Sequence, residues 1–289
     1  MRIVVTGGSG KLGRTVVSTL SDEGHEVVNL DQQGTPWTFT KIDLTDYGQV
    51  IDAIAGVDDR HTGVDAIVHL AAIPAPGLSS DIATFHNNIT ATFNVFQAAR
   101  RLGITRIVYA SSETVLGLPF DVPPPYIPVD EEYPARPEST YSLVKHLEEQ
   151  LAIELVRWNP ELSITALRFS NVMDPADYAA FPSFDADAML RKWNLWGYID
   201  GRDGAQAVSL ALANAGPGFE RYIIAAADTV MSRPNYELVA EVFPGVEVRG
   251  ELGVNDTLLS IEKARRHLGF EPKHSWRDEV DAAASSAAG

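Results

Sequence analysis

Short continuous apolar runs and amphipathic stretches alternate along this chain from its first residues. Ile3-Val4-Val5, led by Arg2 and ended by Thr6, is too short for a helix and reads as a strand buried on both faces. A helix opens at about Lys11. Glu26-Val27-Val28-Asn29-Leu30 predicts a second strand, closed by Asp31, and Trp37 to Ile42 a short third. Asp46 to about Gly56 is helical, with Thr45 or Asp46 as its cap. Asp65 to Leu70 is a buried strand, and Ile82 to Leu102 has helical periodicity that ends at Gly103. Arg106 to Ala110 predicts a strand, Thr140 to Trp158 a helix and Ser163 to Leu167 a strand. The prolines between Leu118 and Pro137 argue against regular structure there. Strands and helices in this order predict an α/β fold, a Rossmann-type doubly wound parallel sheet with helices on both faces.

After Asn171 the rhythm changes. Met173 to Trp196 is mixed and rich in aromatics. A helix follows over Asp203 to Ala213, a strand at Tyr222 to Ala225, and helices at Tyr236 to Val242 and Ser260 to Leu268. The pattern predicts a sheet domain over 1–171, to which 197–228 returns. A small C-terminal substrate lobe would take 172–196 and 229–289.

Composition narrows the function classes. The chain has 289 residues, 45% of them hydrophobic, and no cysteine, so disulfides, thiolate nucleophiles and Cys-based metal sites are excluded. No metal site is expected: Asp58-Asp59-Arg60-His61 reads as a solvated loop. The N-terminal apolar run is too short for a signal segment, and no stretch could span a bilayer. A cytoplasmic location is the expectation. The formal net charge of −16 repels phosphate backbones and anionic lipid, which argues against nucleic acid and membrane as partners. An anionic substrate would need a local basic clamp.

Thr6-Gly7-Gly8-Ser9-Gly10-Lys11-Leu12-Gly13 lies directly behind the first strand. Gly7 permits a tight turn, Gly10 a close approach of backbone to a pyrophosphate, and Gly13 close packing of the helix. The pyrophosphate would sit on free amides at the positive end of that helix. Asp31, at the end of the second strand, can accept both ribose hydroxyls of NAD. No arginine follows in Gln32-Gln33-Gly34 to favour the extra phosphate of NADP. Read alone, Asp31 is equally a loop residue before a turn.

Tyr141 and Lys145 stand four residues apart on one helix face. An ammonium beside a phenol favours phenolate, so Tyr141 could exchange a proton near neutral pH, and Lys145 could also hold a ribose. The bland alternative is a chance pair on an exposed helix. Ser111-Ser112 end a strand at the carboxyl edge of the sheet, where ligands bind, although such serines are also common caps.

Together these motifs resemble the extended short-chain dehydrogenase/reductase family, in its NAD-dependent epimerase/dehydratase group. The resemblance is carried by the glycine loop, Asp31, Asp43-Leu44, His69-Leu70-Ala71-Ala72, Asn88, Ser111 to Gly117, Tyr141 and Lys145, Leu167 to Asn171, and Ile261 to Pro272. It implies NAD as cofactor. Gly7, Ser9, Gly10, Lys11, Leu12, Gly13, Asp31, Asp43, Leu44, Leu70, Ala71, Ala72, Asn88, Tyr141, Lys145 and Ser170 would bind it. Ser112, Tyr141 and Lys145 would be catalytic, and Ile73, Ser112, Glu113, Tyr141 and Asn171 would face the substrate. For Asn88 a purely local, helix-interior role stays open. Relatives pair the helices matching Ile82–Leu102 and Thr140–Trp158. Those helices here carry surplus apolar residues at Phe85, Ile89, Phe93, Phe96, Leu143, Leu147 and Leu151, so a homodimer is expected.

Three departures from the relatives bear on substrate. The arginine that clamps a diphosphate is absent near Trp196; the segment from Asn171 to Trp196 is short; and Glu113-Thr114 stands where dehydratases have Asp-Glu, with Leu116 in place of tyrosine. Arg191 and Lys192 read as a solvated basic pair. Phe181, Phe184, Trp193 and Trp196 read as lobe core ahead of a substrate wall, and His69 as a structural hydrogen-bonding residue. The favoured expectation is an oxidoreductase that moves a hydride between nicotinamide and a carbinol or carbonyl carbon of a small polar substrate, such as a sugar or sugar acid. The alternatives are a nucleotide-sugar 4-epimerase and a non-catalytic NAD(H) sensor.

Overall fold

The computed structural model describes residues 1–35, 38–56, 63–214 and 216–280. Its elements are β1 (Arg2–Thr6), α1 (Lys11–Asp22), β2 (Glu26–Asp31), β3 (Thr40–Lys41), α2 (Tyr47–Ala55), β4 (Ala66–His69), α3 (Asp81–Leu102), β5 (Arg106–Ser112), β6 (Tyr126–Ile127), α4 (Thr140–Trp158), β7 (Ser163–Phe169), β8 (Val172–Met173), β9 (Ile199–Asp200), α5 (Gly201–Asn214), β10 (Gly218–Ile224), α6 (Asn235–Val242), β11 (Glu247–Val248) and α7 (Glu262–Leu268). Seven strands form one sheet in the order β10-β7-β5-β4-β1-β2-β3. The ladders from β5 to β3 are all parallel. With helices between most successive strands of the sheet, this is the doubly wound α/β arrangement.

The helix ends follow local chemistry. Asp46 caps α2 by accepting from the amides of Gly48 and Gln49, and Ser80 caps α3 through Ala83. Ser139 and Ser142 form a reciprocal capping box at the start of α4. Gly103 ends α3 in the left-handed region (φ 72°).

Two compact units emerge from the contacts within the chain. The first holds 1–112, 139–167 and 205–221; the second holds 113–138, 168–204 and 222–289. The first unit's core is built on Val4, Leu30, Ile67, Val95, Phe96, Ile107, Leu155 and Ile164, with Phe96 edge-on to Tyr109. Phe96, expected among the surplus apolar residues of α3, is therefore core. In the second unit Phe181 meets Tyr178, Tyr198 and Trp276 edge-to-face, and Trp196 packs on Phe243.

Some expectations need correction. The third strand is only Thr40–Lys41, and Trp37 and the Asp58–His61 cluster lie outside the described residues. The proline-rich segment is not wholly irregular: Tyr126–Ile127 pairs in parallel with Glu247–Val248. Two residues suffice there because a short ladder needs few amides, and the flanking prolines end it. The strand expected at Tyr222 begins earlier, at Gly218.

Candidate functional site

The glycine loop is as close-packed as its spacing suggests. Gly7 has φ +74°, and a Cβ there would lie 2.6 Å from the amide nitrogen of Ala71. A Cβ on Gly13 would lie 2.1 Å from the Gly7 carbonyl oxygen, so α1 presses on the loop itself. Gly10 caps α1 without any side-chain acceptor, and Lys11 and Leu12 begin the helix. That leaves first-turn amides at a helix N-terminus for an anion, as a pyrophosphate requires. Asp31 is half-buried. Its Oδ2 accepts from the Ser9 amide at 2.9 Å and its Oδ1 from Gln32 at 2.7 Å. A carboxylate offers about four lone-pair sites, so Asp31 can grip the loop and still accept ribose hydroxyls. These residues fit NAD.

The neighbouring wall is fixed from α2 and α3. Asp43 caps Thr45 through amide and hydroxyl, and Asn94 donates to the carbonyls of Leu44 and Thr45. Leu70, Ala71, Ala72 and Ile73 are half-buried. Asn88 is buried and pairs with Ile73 at both polar ends. Its Oδ1 accepts from the Ile73 amide at 2.8 Å, and its Nδ2 donates to the Ile73 carbonyl at 3.0 Å. The bond reaches fifteen residues back along the chain, so it is not a local helix contact.

At the end of β5, Ser112 is buried, and the Ser111 hydroxyl donates to Glu149 at 2.7 Å. Tyr141 and Lys145 lie one turn apart on α4, with Lys145 Nζ 5.9 Å from the Tyr141 ring centroid. The exposed-helix alternative fails: Tyr141 is 7% and Lys145 3% exposed. Lys145 Nζ donates to the Ala110 carbonyl and to Glu148 Oε2, each at 2.9 Å. Burial opposes its charge, but Glu148, Tyr141 and Glu149 together outweigh it and raise the lysine's pKa above its usual value. His69 is structural, as expected. It bridges the hydroxyls of Thr6 at 2.7 Å and Thr92 at 3.0 Å. Burial, and then the Lys145 charge, depress its pKa to about 3, so it is neutral at physiological pH. Sequence reasoning missed Glu148, Glu149 and Thr92. The only signal was the placement of Glu148 three residues beyond Lys145 on the same face.

In the second unit, Glu113 is buried and accepts from Asn194 Nδ2 at 3.1 Å. Burial pushes its carboxyl up to about 7, against the pull of Ser170, Asn194 and Arg191. Ser170 is buried and faces Glu113 without a well-aligned hydrogen bond, and Asn171 is half-buried. The expected solvated pair is corrected. Arg191 is buried, donates to the Gly197 carbonyl at 2.9 Å and lies over the rings of Phe184 and Trp193. Lys192 pairs with Asp121 at 2.7 Å. Two aromatic faces and a buried carboxylate draw the guanidinium in, which a local reading of Arg-Lys does not reveal. Trp196 is fully buried, its indole donating to the Ala188 carbonyl. Among the described residues no group of His, Asp and Glu could hold a metal ion, and no helix is long and apolar enough to cross a membrane.

Residues 3–225 match the model of the NAD dependent epimerase/dehydratase family. UDP-glucose 4-epimerase of Bacillus subtilis (strain 168) is 30% identical over 188 residues, covering 59% of this chain and 52% of that enzyme. The chain thus spans about half the length of that relative. A protein of Methanocaldococcus jannaschii, provisionally named a UDP-glucose 4-epimerase, is 30% identical and covers 96% of this chain and 94% of its own. A crystal structure of UDP-galactose 4-epimerase superposes with a TM-score of 0.68 at 28% identity, covering 97% of this chain and 96% of that one. The glycine loop, the sheet and this match over most of the chain agree: the protein belongs to the NAD-dependent epimerase/dehydratase family, with NAD as its cofactor.

Proposed function

We propose that this protein catalyses NAD-dependent hydride transfer at a carbinol or carbonyl carbon of a sugar, and that its net reaction is 4-epimerisation of a nucleotide sugar. The observation that carries the chemistry is the buried Tyr141–Lys145 pair on α4. Tyr141 takes and returns the hydroxyl proton, Ser112 orients that oxygen, and Lys145 supports Tyr141 and holds ribose. When bound, NAD supplies the acceptor and donor of the hydride. Gly7, Ser9, Gly10, Lys11, Leu12 and Gly13 hold its pyrophosphate, Asp31 its ribose, and Asp43, Leu44, Leu70, Ala71 and Ala72 line its cleft. Asn88 supports that cleft by holding Ile73. Ile73, Glu113 and Asn171 face the substrate, and Ser170 borders the cofactor.

The choice of nucleotide sugar over the small polar substrate expected from sequence rests on the named relatives, above all the one aligned over 96% of this chain. The small-substrate dehydrogenase stands as a second reading, on one specific observation. Arg191 and Lys192, the two cations beside the missing clamp, are both engaged within the second unit. A diphosphate without a charged donor loses about 1.5–3 kcal/mol per bond. Incubation with NAD and UDP-glucose or UDP-galactose, with product analysis, decides between them. Clean interconversion supports the epimerase. Steady NADH formation from free sugars or sugar acids, with no interconversion, supports the second reading. Failure of both leaves the NAD(H) sensor.

The assembly we propose is a cytoplasmic homodimer through α3 and α4, which leave Ile82, Phe93 and Leu143 exposed in the isolated chain. Light scattering at micromolar concentration is expected to give the dimer mass, and a monomer mass refutes it.

A further inference from the structure

A single line of hydrogen bonds runs through the first unit from the end of β1 to the lysine of α4. Thr6 Oγ1 lies 2.7 Å from His69 Nδ1, His69 Nε2 lies 3.0 Å from Thr92 Oγ1, Thr92 Oγ1 lies 2.9 Å from Glu148 Oε1, and Glu148 Oε2 lies 2.9 Å from Lys145 Nζ. Every member is buried: Thr6 and Glu148 are 0% exposed, and none of the others exceeds 3%. The direction of the line is forced. Burial pushes the Glu148 carboxyl up, but the ammonium in contact at 2.9 Å favours its ionised form, and a carboxylate only accepts, so Thr92 donates to Glu148. That uses the hydroxyl's one proton, so His69 Nε2–H donates to Thr92. The neutral ring has one proton, so Nδ1 accepts from Thr6. A neutral His69 is what its depressed pKa requires.

We propose that Glu148 is a positioning residue for Lys145: it fixes the direction of the ammonium and keeps it charged, and Thr92 and His69 hold Glu148 in place for that task. This rests on the reading of Lys145 as the ribose-holding lysine. The ammonium has three protons. Glu148 and the Ala110 carbonyl take two of them, which fixes the direction of the third. Charge follows the same geometry. On α4, Glu148, Tyr141 and Glu149 all favour the ammonium. Glu149 also bonds Ser111 and lies 3.9 Å from Arg221 of β10. From β4 comes only neutral His69, and from α3 only the Thr92 hydroxyl. Among the described residues Glu148 therefore supplies the one carboxylate in direct contact with the ammonium, and without it burial disfavours the charge.

The test is NAD affinity by calorimetry from pH 7 to 9.5 in the full chain. Wild-type protein is expected to bind NAD with nearly constant affinity over this range, because Lys145 stays protonated. Glu148→Gln is expected to bind several-fold more weakly at pH 7 and at least a further threefold more weakly at pH 9.5, as its lysine loses its proton. A purely structural loss would weaken binding equally at both pH values. Thr92→Val keeps the charge but frees Oε1, so a pH-independent loss of about two- to threefold is expected, and Thr92→Ser restores wild-type affinity. Should Glu148→Gln fail to fold, the Thr92 pair decides. Lys145→Ala separates the two ideas. If it binds NAD poorly while Glu148→Gln and Thr92→Val behave as wild type throughout, the proposal for Glu148 falls alone. If Lys145→Ala binds NAD normally, the reading of the lysine falls, and the proposal with it.

Discussion

The two units each bury an acid and a base, and they treat them differently. In the first, Glu148 and Lys145 touch at 2.9 Å, and each carboxylate oxygen has a donor. In the second, Arg191 faces Glu113 without an ion-pair contact among the described residues. Among the described residues, Glu113 Oε2, Asn194 Oδ1 and Arg191 Nε have no well-aligned hydrogen bond, and Ser170 Oγ faces Glu113 without one. The charges of the first unit are held by the protein alone. Those of the second are buried without being satisfied, so Glu113 carries a carboxyl poised near neutrality while Lys145 remains an ammonium. Burial pushes up the carboxyls of both units; Glu148 has an ammonium and a hydroxyl in direct contact to oppose it, and among the described residues Glu113 has no cation in ion-pair contact.

The largest effect that would sharpen this contrast is on stability. Glu148→Ala leaves the buried ammonium without its ion-pair partner and is expected to cost about 3–5 kcal/mol in denaturant unfolding. A cost below about 1 kcal/mol would break the contrast. Next is Tyr141→Phe, which keeps the ring and removes the proton. Turnover should fall on the order of 10²-fold or more, with NAD binding nearly intact by calorimetry.

A smaller effect separates the units by pH. The folded pKa of Glu113, about 7, lies above its ordinary value of 4.5. The contribution to stability is then full below about 4.5 and is lost as pH rises to about 7. Wild-type protein should lose on the order of 3 kcal/mol between pH 4.5 and 8 through this group, and Glu113→Gln should abolish that part of the slope in urea titrations. The smallest effect is Ser170→Ala. A hydroxyl that faces Glu113 without a well-aligned hydrogen bond contributes little, so a change within about 1 kcal/mol is expected, against a larger loss for Thr92→Val in the satisfied line.

What was legible in the sequence was what depends on spacing along the chain. The glycine loop, Asp31 and the four-residue step from Tyr141 to Lys145 are local patterns, and the helix caps at Asp46 and Gly103 are set by single residues. What was hidden depends on distant chain meeting. Thr92 reads as an ordinary helix residue until α3 lies beside α4. Arg191 reads as surface until Phe184, Trp193 and Glu113 enclose it. Hydrophobic patterning locates elements but carries no record of which polar groups will face each other across them.

The grip of Asn88 on Ile73 has a consequence for dynamics. The amide hydrogen of Ile73 belongs to no strand or helix, yet it is held by a side chain from the middle of α3. Its exchange with deuterium therefore requires that the helix move away, not merely that the loop fluctuate. This amide should exchange in step with the slow amides of α3, and Asn88→Ala should release it to the rate of an ordinary loop while the helix amides keep theirs. A segment that looks like a connection thus opens on the helix's clock.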